Sequence, residues 1–122
     1  MLFMRKNKSN TTSPKFLFIQ IRKEKKIAKE EIACYCEIGK LNKAEIHVLN
    51  VYKTPLFDPS VCEKYHAVFI GGSSGTSVVD ISPAPFFSSI INLTSHCIDI
   101  NKPLFGTCYG FQVLAIAAGG KI

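Results

Sequence analysis

The strongest constraint on the fold is an alternation between short apolar segments and helical segments. Residues 16–21 (FLFIQI) are apolar and rich in aromatic and β-branched side chains, which is typical of a strand buried on both faces of a parallel sheet. Further strands are predicted at 45–51, 65–70 and 102–107, and helices at 23–38, 86–98 and 109–118. This β-α-β-loop-β-α-β-α order predicts an α/β fold, a parallel sheet with helices on both faces.

The predicted helices carry signals at their ends. Gly39 is expected just after the first helix, and Ser82-Pro83 predicts an N-cap followed by proline at the first helical position of the second. The third helix, 109–118, is almost wholly apolar, so it is expected to be buried, and Gly119 and Gly120 stop it. Residues 121–122 predict the entry to a fifth strand.

The net charge of +6 comes from one part of the chain. Residues 1–31 hold nine Lys or Arg and three Asp or Glu, whereas residues 32–122 hold six of each. We interpret residues 1–14 as a flexible basic leader, and the basic residues 22–29 as the solvated face of one predicted helix. No aromatic residues alternate with these lysines, so a nucleic-acid partner is not predicted.

The five cysteines are odd in number and are not spaced like a disulfide framework or a metal site. The first residues have no apolar core of the kind that secretion needs, and no segment is long enough to span a membrane. Reduced thiols in a cytoplasmic protein, with no bound metal and no membrane partner, are therefore the expectation.

The segment 106–110 (GTCYG) has the pattern G-x-C-x-G between a predicted strand and a predicted helix. Gly106 and Gly110 leave room for a sharp turn that would present Cys108 as a nucleophile. The positive end of the following helix favours a thiolate, and the Tyr109 amide would point at a developing oxyanion. The alternative is a buried cysteine at an ordinary strand-to-helix turn.

A second glycine-rich junction, 71–75 (GGSSG), follows the third predicted strand. It lacks the Lys-Ser/Thr ending of a P-loop and the G-x-G-x-x-G spacing, so a phosphate cradle is not favoured. Because sites in parallel sheets form at the carboxyl ends of strands, Gly72 is predicted to supply a second oxyanion-hole amide, with Gly71 and Ser73 beside it. A plain flexible turn is the alternative.

The segment KPLFGTCYGFQVLAIAAGGKI resembles the nucleophile segment of class I (triad-type) glutamine amidotransferases, and IGGSSGTSVVD resembles their oxyanion loop. The resemblance covers roughly residues 16–122 and is closer to stand-alone bacterial amidotransferase-like proteins. It implies a flavodoxin-like fold, of which residues 15–122 would be the N-terminal portion. It also implies that Cys108 attacks the side-chain amide of glutamine to yield glutamate and ammonia without a cofactor, with Gln112 and Ser73 binding the substrate.

The chain departs from that family in one respect that bears on activity. Family members carry a histidine well after the cysteine and a glutamate two residues beyond it, whereas His47, His66 and His96 all precede Cys108. We therefore expect a C-terminally truncated domain that is inactive or weak alone. Its ammonia would pass to a synthetase domain or partner. The alternatives are a non-catalytic binding or assembly module and a related cysteine hydrolase such as a γ-glutamyl peptidase.

Overall fold

Four parallel strands form the sheet in the computed structural model, which describes residues 14–73 and 84–120. The strands are β1 (Phe16–Ile21), β2 (Ile46–Asn50), β3 (Ala67–Ser73) and β4 (Leu104–Gly106), in the order β2-β1-β3-β4. The helices are α1 (Lys25–Gly39), α2 (Phe87–Asp99) and α3 (Tyr109–Ala117), and short 3₁₀ helices span Lys43–Glu45 and Pro59–Lys64. The predicted α/β fold with a parallel sheet is confirmed.

The two faces of the sheet bury different amounts of apolar surface. On one face, residues of β1 and β3 pack with α2 and α3 in a large core that includes Ile19, Ile70, Leu93 and Val113. On the other face α1 covers a smaller core of Phe18, Ile32 and Ile46. β1 is buried along nearly its whole length because helices cover both of its sides, as its apolar sequence predicts.

The ends of two helices differ from the predictions. Lys40, not Gly39, takes the left-handed conformation after α1, with φ 56°, and the Leu41 amide then donates to the Cys36 carbonyl. The α2 helix begins at Phe87 instead of Pro83, and residues 84–86 form a turn. Pro85 explains the later start, because the residue before a proline is disfavoured in helical conformation. Ser82 and Pro83 themselves lie outside the described residues.

Two further expectations need correction. Arg22 and Lys23 precede α1, and Arg22 is half-buried instead of standing on a solvated helix face. The apolar α3 buries only one side: Tyr109, Gly110 and Val113 are buried, whereas Phe111 is 64% exposed. Residues 1–13 of the predicted leader 1–14 and the predicted fifth strand at 121–122 lie outside the described residues. Within the described ranges, no helix is long and apolar enough to cross a membrane.

Candidate active site

Cys108 occupies a strained turn between β4 and α3. Its backbone lies at φ 52° and ψ −109°, a region that residues with a side chain seldom adopt and that costs about 1–3 kcal/mol. The flanking glycines allow this turn by close approach. A Cβ on Gly110 would lie 2.1 Å from the Ile70 carbonyl oxygen, and one on Gly106 would lie 2.6 Å from the Gly110 carbonyl. The local geometry is that of a nucleophile elbow with an exposed thiol.

The described part of the second junction, residues 71–73, meets the 106–110 junction at the carboxyl edge of the sheet. The Thr107 amide donates to the Ile70 carbonyl at 3.2 Å, which ties the end of β4 to the end of β3. A Cβ on Gly72 would lie 3.4 Å from Cys108 Cβ and 3.9 Å from its Sγ. The backbone of Gly72 therefore borders the Cys108 side chain, as expected for adjacent parallel strands.

A bulge in β3 frees backbone groups at this edge. β1 and β3 pair Ile19 with Ile70 and then Ile21 with Ser73, so β3 carries one extra residue at Gly71-Gly72. A bulge leaves a residue out of the regular ladder. The Gly72 amide donates to the Glu31 carboxylate of α1, with 3.2 Å from N to Oε2. The amide predicted to bind an oxyanion thus has a carboxylate as its acceptor in this structure.

Glu31 belongs to a polar network that the sequence did not predict. Its side chain is 8% exposed and also accepts from Arg22 Nη2 at 3.1 Å and from Gln20 Nε2 at 3.3 Å. Asn50 extends the network by donating to Gln20 Oε1 at 3.1 Å. The only signal in the sequence was Gln20, a polar residue in an otherwise apolar strand, which needs buried partners.

Tyr35, another residue of α1, contacts the elbow from the α1 side of the sheet. The Tyr35 hydroxyl lies 2.6 Å from the Thr107 hydroxyl, one residue before Cys108. Burial is the largest cause that raises the pKa of Tyr35, and the charges of Glu31 and Cys108 raise it further, so the phenol stays protonated at neutral pH. Tyr35 also packs edge-on against Phe18 at 4.8 Å between ring centroids. The half-buried Thr107 hydroxyl thus has a specific polar partner.

The other predicted site residues lie in the first turns of α3 and at the end of β3. Tyr109 opens α3, where the first amides have no intrahelical acceptor, and its side chain is 1% exposed in the main core. Gln112 lies one turn further along, half-buried, and its amide donates to the Cys108 carbonyl. Ser73 is the half-buried last residue of β3. The structure thus brings Gly72, Ser73, Cys108 and Tyr109 to one edge of the sheet.

The three histidines lie elsewhere. His47 is the second residue of β2 and contacts the Tyr65 hydroxyl at 3.0 Å. His66 precedes β3 and accepts from the Lys15 amide, and His96, near the end of α2, lies 2.7 Å from a Glu63 carboxylate oxygen. These contacts place all three at the amino-terminal edge of the sheet, opposite Cys108. No three His, Cys, Asp or Glu side chains converge on a possible metal position in the part of the chain that the structure describes.

Comparison with known proteins finds a matching family model and curated relatives. The family model described as glutamine amidotransferase class-I matches residues 30–122. A glutamine amidotransferase-like protein of Acanthamoeba polyphaga mimivirus is 43% identical over 60 residues, which cover 49% of this chain and 29% of the relative. The carbamoyl phosphate synthase small chain of Thermoplasma volcanium is 38% identical over 60 residues, 48% of this chain and 15% of the relative.

The corresponding small chain of Thermoplasma acidophilum is 31% identical over 64 residues, 52% of this chain and 17% of the relative. The matched segments thus span less than a third of the length of each of these relatives. No solved structure matches the chain significantly.

Proposed function

This chain belongs to the class-I glutamine amidotransferase family, and from that premise we propose that Cys108 is the nucleophile of a glutamine-hydrolysing site. The observation that carries the proposal is the Cys108 backbone at φ 52° and ψ −109°, with its exposed thiol beside Gly72. A structural cysteine has no need of a strained backbone at the start of a helix, whereas a nucleophile gains exposure and nearby amides from it.

In the proposed reaction the Cys108 sulfur attacks the side-chain carbonyl carbon of glutamine. A C–S bond forms, the C–N bond breaks and the amide nitrogen leaves as ammonia after gaining a proton. Water then cleaves the thioester and releases glutamate. The Tyr109 and Gly72 amides are proposed to stabilise the oxyanion of each tetrahedral intermediate, and Gln112 and Ser73 to bind glutamine. None of these steps requires a cofactor.

We further propose that these 122 residues alone hydrolyse glutamine weakly or not at all. A cysteine hydrolase needs a base within hydrogen-bond reach of its nucleophile, and the three histidines contact Tyr65, Lys15 and Glu63 instead. Removing a triad histidine from comparable enzymes costs orders of magnitude in rate. The base for turnover is therefore proposed to come from outside these residues.

We infer that the ammonia would pass to a synthetase partner. The inference rests on two relatives that are named as small chains of carbamoyl phosphate synthase. These two relatives match 48% and 52% of this chain and 15% and 17% of their own lengths.

Covalent labelling tests the nucleophile without requiring turnover. The chain is treated with the chloromethyl ketone analogue of glutamine, in which a C–S bond forms as chloride leaves, and modified peptides are quantified by mass spectrometry. Labelling is expected at Cys108, to be slowed by excess glutamine and to be absent from Cys108→Ser. Cys34, which is also exposed, is the internal control and should show no protection by glutamine.

Two results would overturn parts of this proposal. Equal labelling of Cys108 and Cys34, with no protection by glutamine, would remove the amidotransferase assignment of this site and favour a γ-glutamyl peptidase-like enzyme or a non-catalytic module. Robust release of glutamate from glutamine by the 122 residues would show that the base is not missing.

A further inference from the structure

The Gly72 amide has two competing acceptors in the proposed reaction. In the structure it donates to Glu31 Oε2 at 3.2 Å, whereas the proposed chemistry needs it for the substrate oxyanion beside Cys108. One N–H group does not make two good hydrogen bonds at once, and a carboxylate beside an oxyanion also repels it. Glu31 therefore bears directly on the reactivity of this site.

We propose that Glu31 restrains the reactivity of the site: it accepts the hydrogen bond of the Gly72 amide in the β3 bulge, and the substrate oxyanion has to displace it as the acceptor of that amide. The inference rests on the proposed function, since it assigns to Gly72 the role of oxyanion donor. It concerns a residue of α1 that is distant in sequence from both glycine-rich junctions.

The contact is built into the surrounding residues. The Glu31 carboxylate accepts from three donors, Gly72 N, Arg22 Nη2 and Gln20 Nε2. A Cβ on Gly71 would lie 2.6 Å from Glu31 Oε2, so the glycine at this position leaves the space that the carboxylate fills. Hydrogen bonds to a charged acceptor are stronger than neutral ones, so the carboxylate competes well for the amide.

The Glu31 carboxylate also has space beside it into which it can move. Glu31 lines an open groove of ≈ 730 Å³ on the α1 side of the sheet, which Arg22, Tyr35 and Thr107 also line. Movement toward this groove would keep Glu31 near the Arg22 guanidinium while freeing the Gly72 amide. Arg22 Nη2 is itself close to that glycine, since it lies 3.2 Å from the position that a Gly72 Cβ would take.

Two thiol reagents separate the oxyanion step from general thiol reactivity. p-Nitrophenyl acetate acetylates Cys108 through a tetrahedral oxyanion: a C–S bond forms, the C–O bond to p-nitrophenolate breaks, and the leaving group needs no proton from the protein. Iodoacetamide alkylates the same sulfur by direct displacement of iodide, with no oxyanion. The ratio of the two rate constants at Cys108, measured by peptide mass spectrometry, therefore reports the oxyanion donors.

Glu31→Gln is expected to raise this ratio about tenfold, because a neutral amide oxygen holds the Gly72 N–H less strongly and does not repel the oxyanion. Glu31→Asp keeps the charge but shortens the side chain, so it should raise the acetylation-to-alkylation ratio by a smaller factor. It serves as the test variant if Glu31→Gln does not fold. Glu37→Gln makes the same charge change at an exposed position of α1 and should leave the ratio unchanged. The ratio at Cys34 should not change in any variant.

An unchanged or lower ratio in folded Glu31→Gln and Glu31→Asp would overturn the inference. That outcome is distinct from failure of the proposed function. The reagent ratio does not depend on glutamine, whereas the assignment of the site fails when glutamine gives Cys108 no protection against the chloromethyl ketone.

Discussion

The two edges of the sheet differ in backbone conformation and in the contacts of their polar groups. At the carboxyl edge, Cys108 has a strained backbone, β3 bulges at Gly71-Gly72, and a buried carboxylate binds the freed amide. At the amino edge, the histidines make ordinary contacts, such as the exposed pair between His96 and Glu63. Strain and buried polar groups persist only where the surrounding structure holds them, and they cluster at functional sites.

The difference shows where this fold can support chemistry. Tight packing of glycines at one edge brings the Cys108 thiol close to Gly72, whereas the histidines at the other edge contact Tyr65, Lys15 and Glu63. The type of a residue therefore does not by itself identify a catalytic base. The histidines could act as bases, but they lie at the amino edge of the sheet, opposite Cys108.

Gly110→Ala is expected to have the largest effect. The added Cβ would lie 2.1 Å from the Ile70 carbonyl oxygen, which is backbone of a buried strand and has little freedom to move. We expect a loss of about 3 kcal/mol or more in the free energy of unfolding, the size of other severe steric substitutions, measured by urea denaturation.

Gly119→Ala is the matched control for that substitution. Gly119 has φ +91°, but a Cβ at this position would meet nothing within 4 Å, so only backbone strain of about 1 kcal/mol opposes alanine. Equal effects of the two substitutions would contradict the view that close packing at the elbow sets the Cys108 geometry.

Tyr35→Phe tests the contact between α1 and the elbow. It removes the 2.6 Å hydrogen bond to Thr107 while keeping the ring contact with Phe18. We expect a loss of about 1.5 kcal/mol in unfolding free energy, because the half-buried Thr107 hydroxyl loses its partner. Tyr52→Phe, at an exposed tyrosine, should change stability by less, and an equal change would remove any special role for the Tyr35 hydroxyl.

Tyr109→Phe is expected to stabilise the protein. The Tyr109 hydroxyl is buried and has no hydrogen-bond partner among the described residues, so its removal should raise the unfolding free energy by about 1 kcal/mol. The backbone amide of residue 109 is unchanged, so labelling of Cys108 should persist. A loss of stability would show that the hydroxyl makes a bond beyond the described residues.

The same substitution predicts a change in alkaline stability. Burial raises the pKa of Tyr109 from 10.0 to about 12, with a smaller contribution from Tyr52. The native state therefore favours the protonated phenol, and this contribution is fully present below pH 10 and is lost as the pH rises toward 12. Tyr109→Phe should lose less stability than the unsubstituted chain between pH 10 and 12. Parallel losses would contradict the assignment.

The sequence predicted the parts of this fold that depend on local pattern. The apolar run 16–21 identified a strand covered on both faces, and the glycines around Cys108 identified the sharp turn. The role of Glu31 was not predicted because it lies on a charged helix, where the pattern predicts a solvated face. Its nearly buried side chain contacts a bulge in β3, and a bulge is a feature of strand pairing that no local pattern encodes.

Tyr35 and Pro85 illustrate two other limits. Tyr35 fits the apolar stripe of α1, so nothing in its spacing distinguishes a ring that only packs from one whose hydroxyl binds Thr107. Pro83 predicts a helix start at residue 83, whereas Pro85 disfavours a helical conformation at the residue before it. The observed start of α2 at Phe87 agrees with the constraint from Pro85. In both cases the local sequence is compatible with two structures, and contacts outside that local pattern determine which one forms.

Substitution of the histidines is expected to have the smallest effect and is the most direct test of the comparison. Each single substitution removes a titratable ring at the amino edge and keeps a polar side chain; the variants are His47→Gln, His66→Gln and His96→Gln. Because the His96–Glu63 pair is exposed, its loss should cost less than about 1 kcal/mol, and the iodoacetamide alkylation rate of Cys108 should not change in any of the three variants. If one substitution lowered that rate while the protein stayed folded, a histidine of the amino edge would contribute to the reactivity of the thiol. The two edges would then be coupled, and the proposal that the base for Cys108 comes from outside these residues would fail.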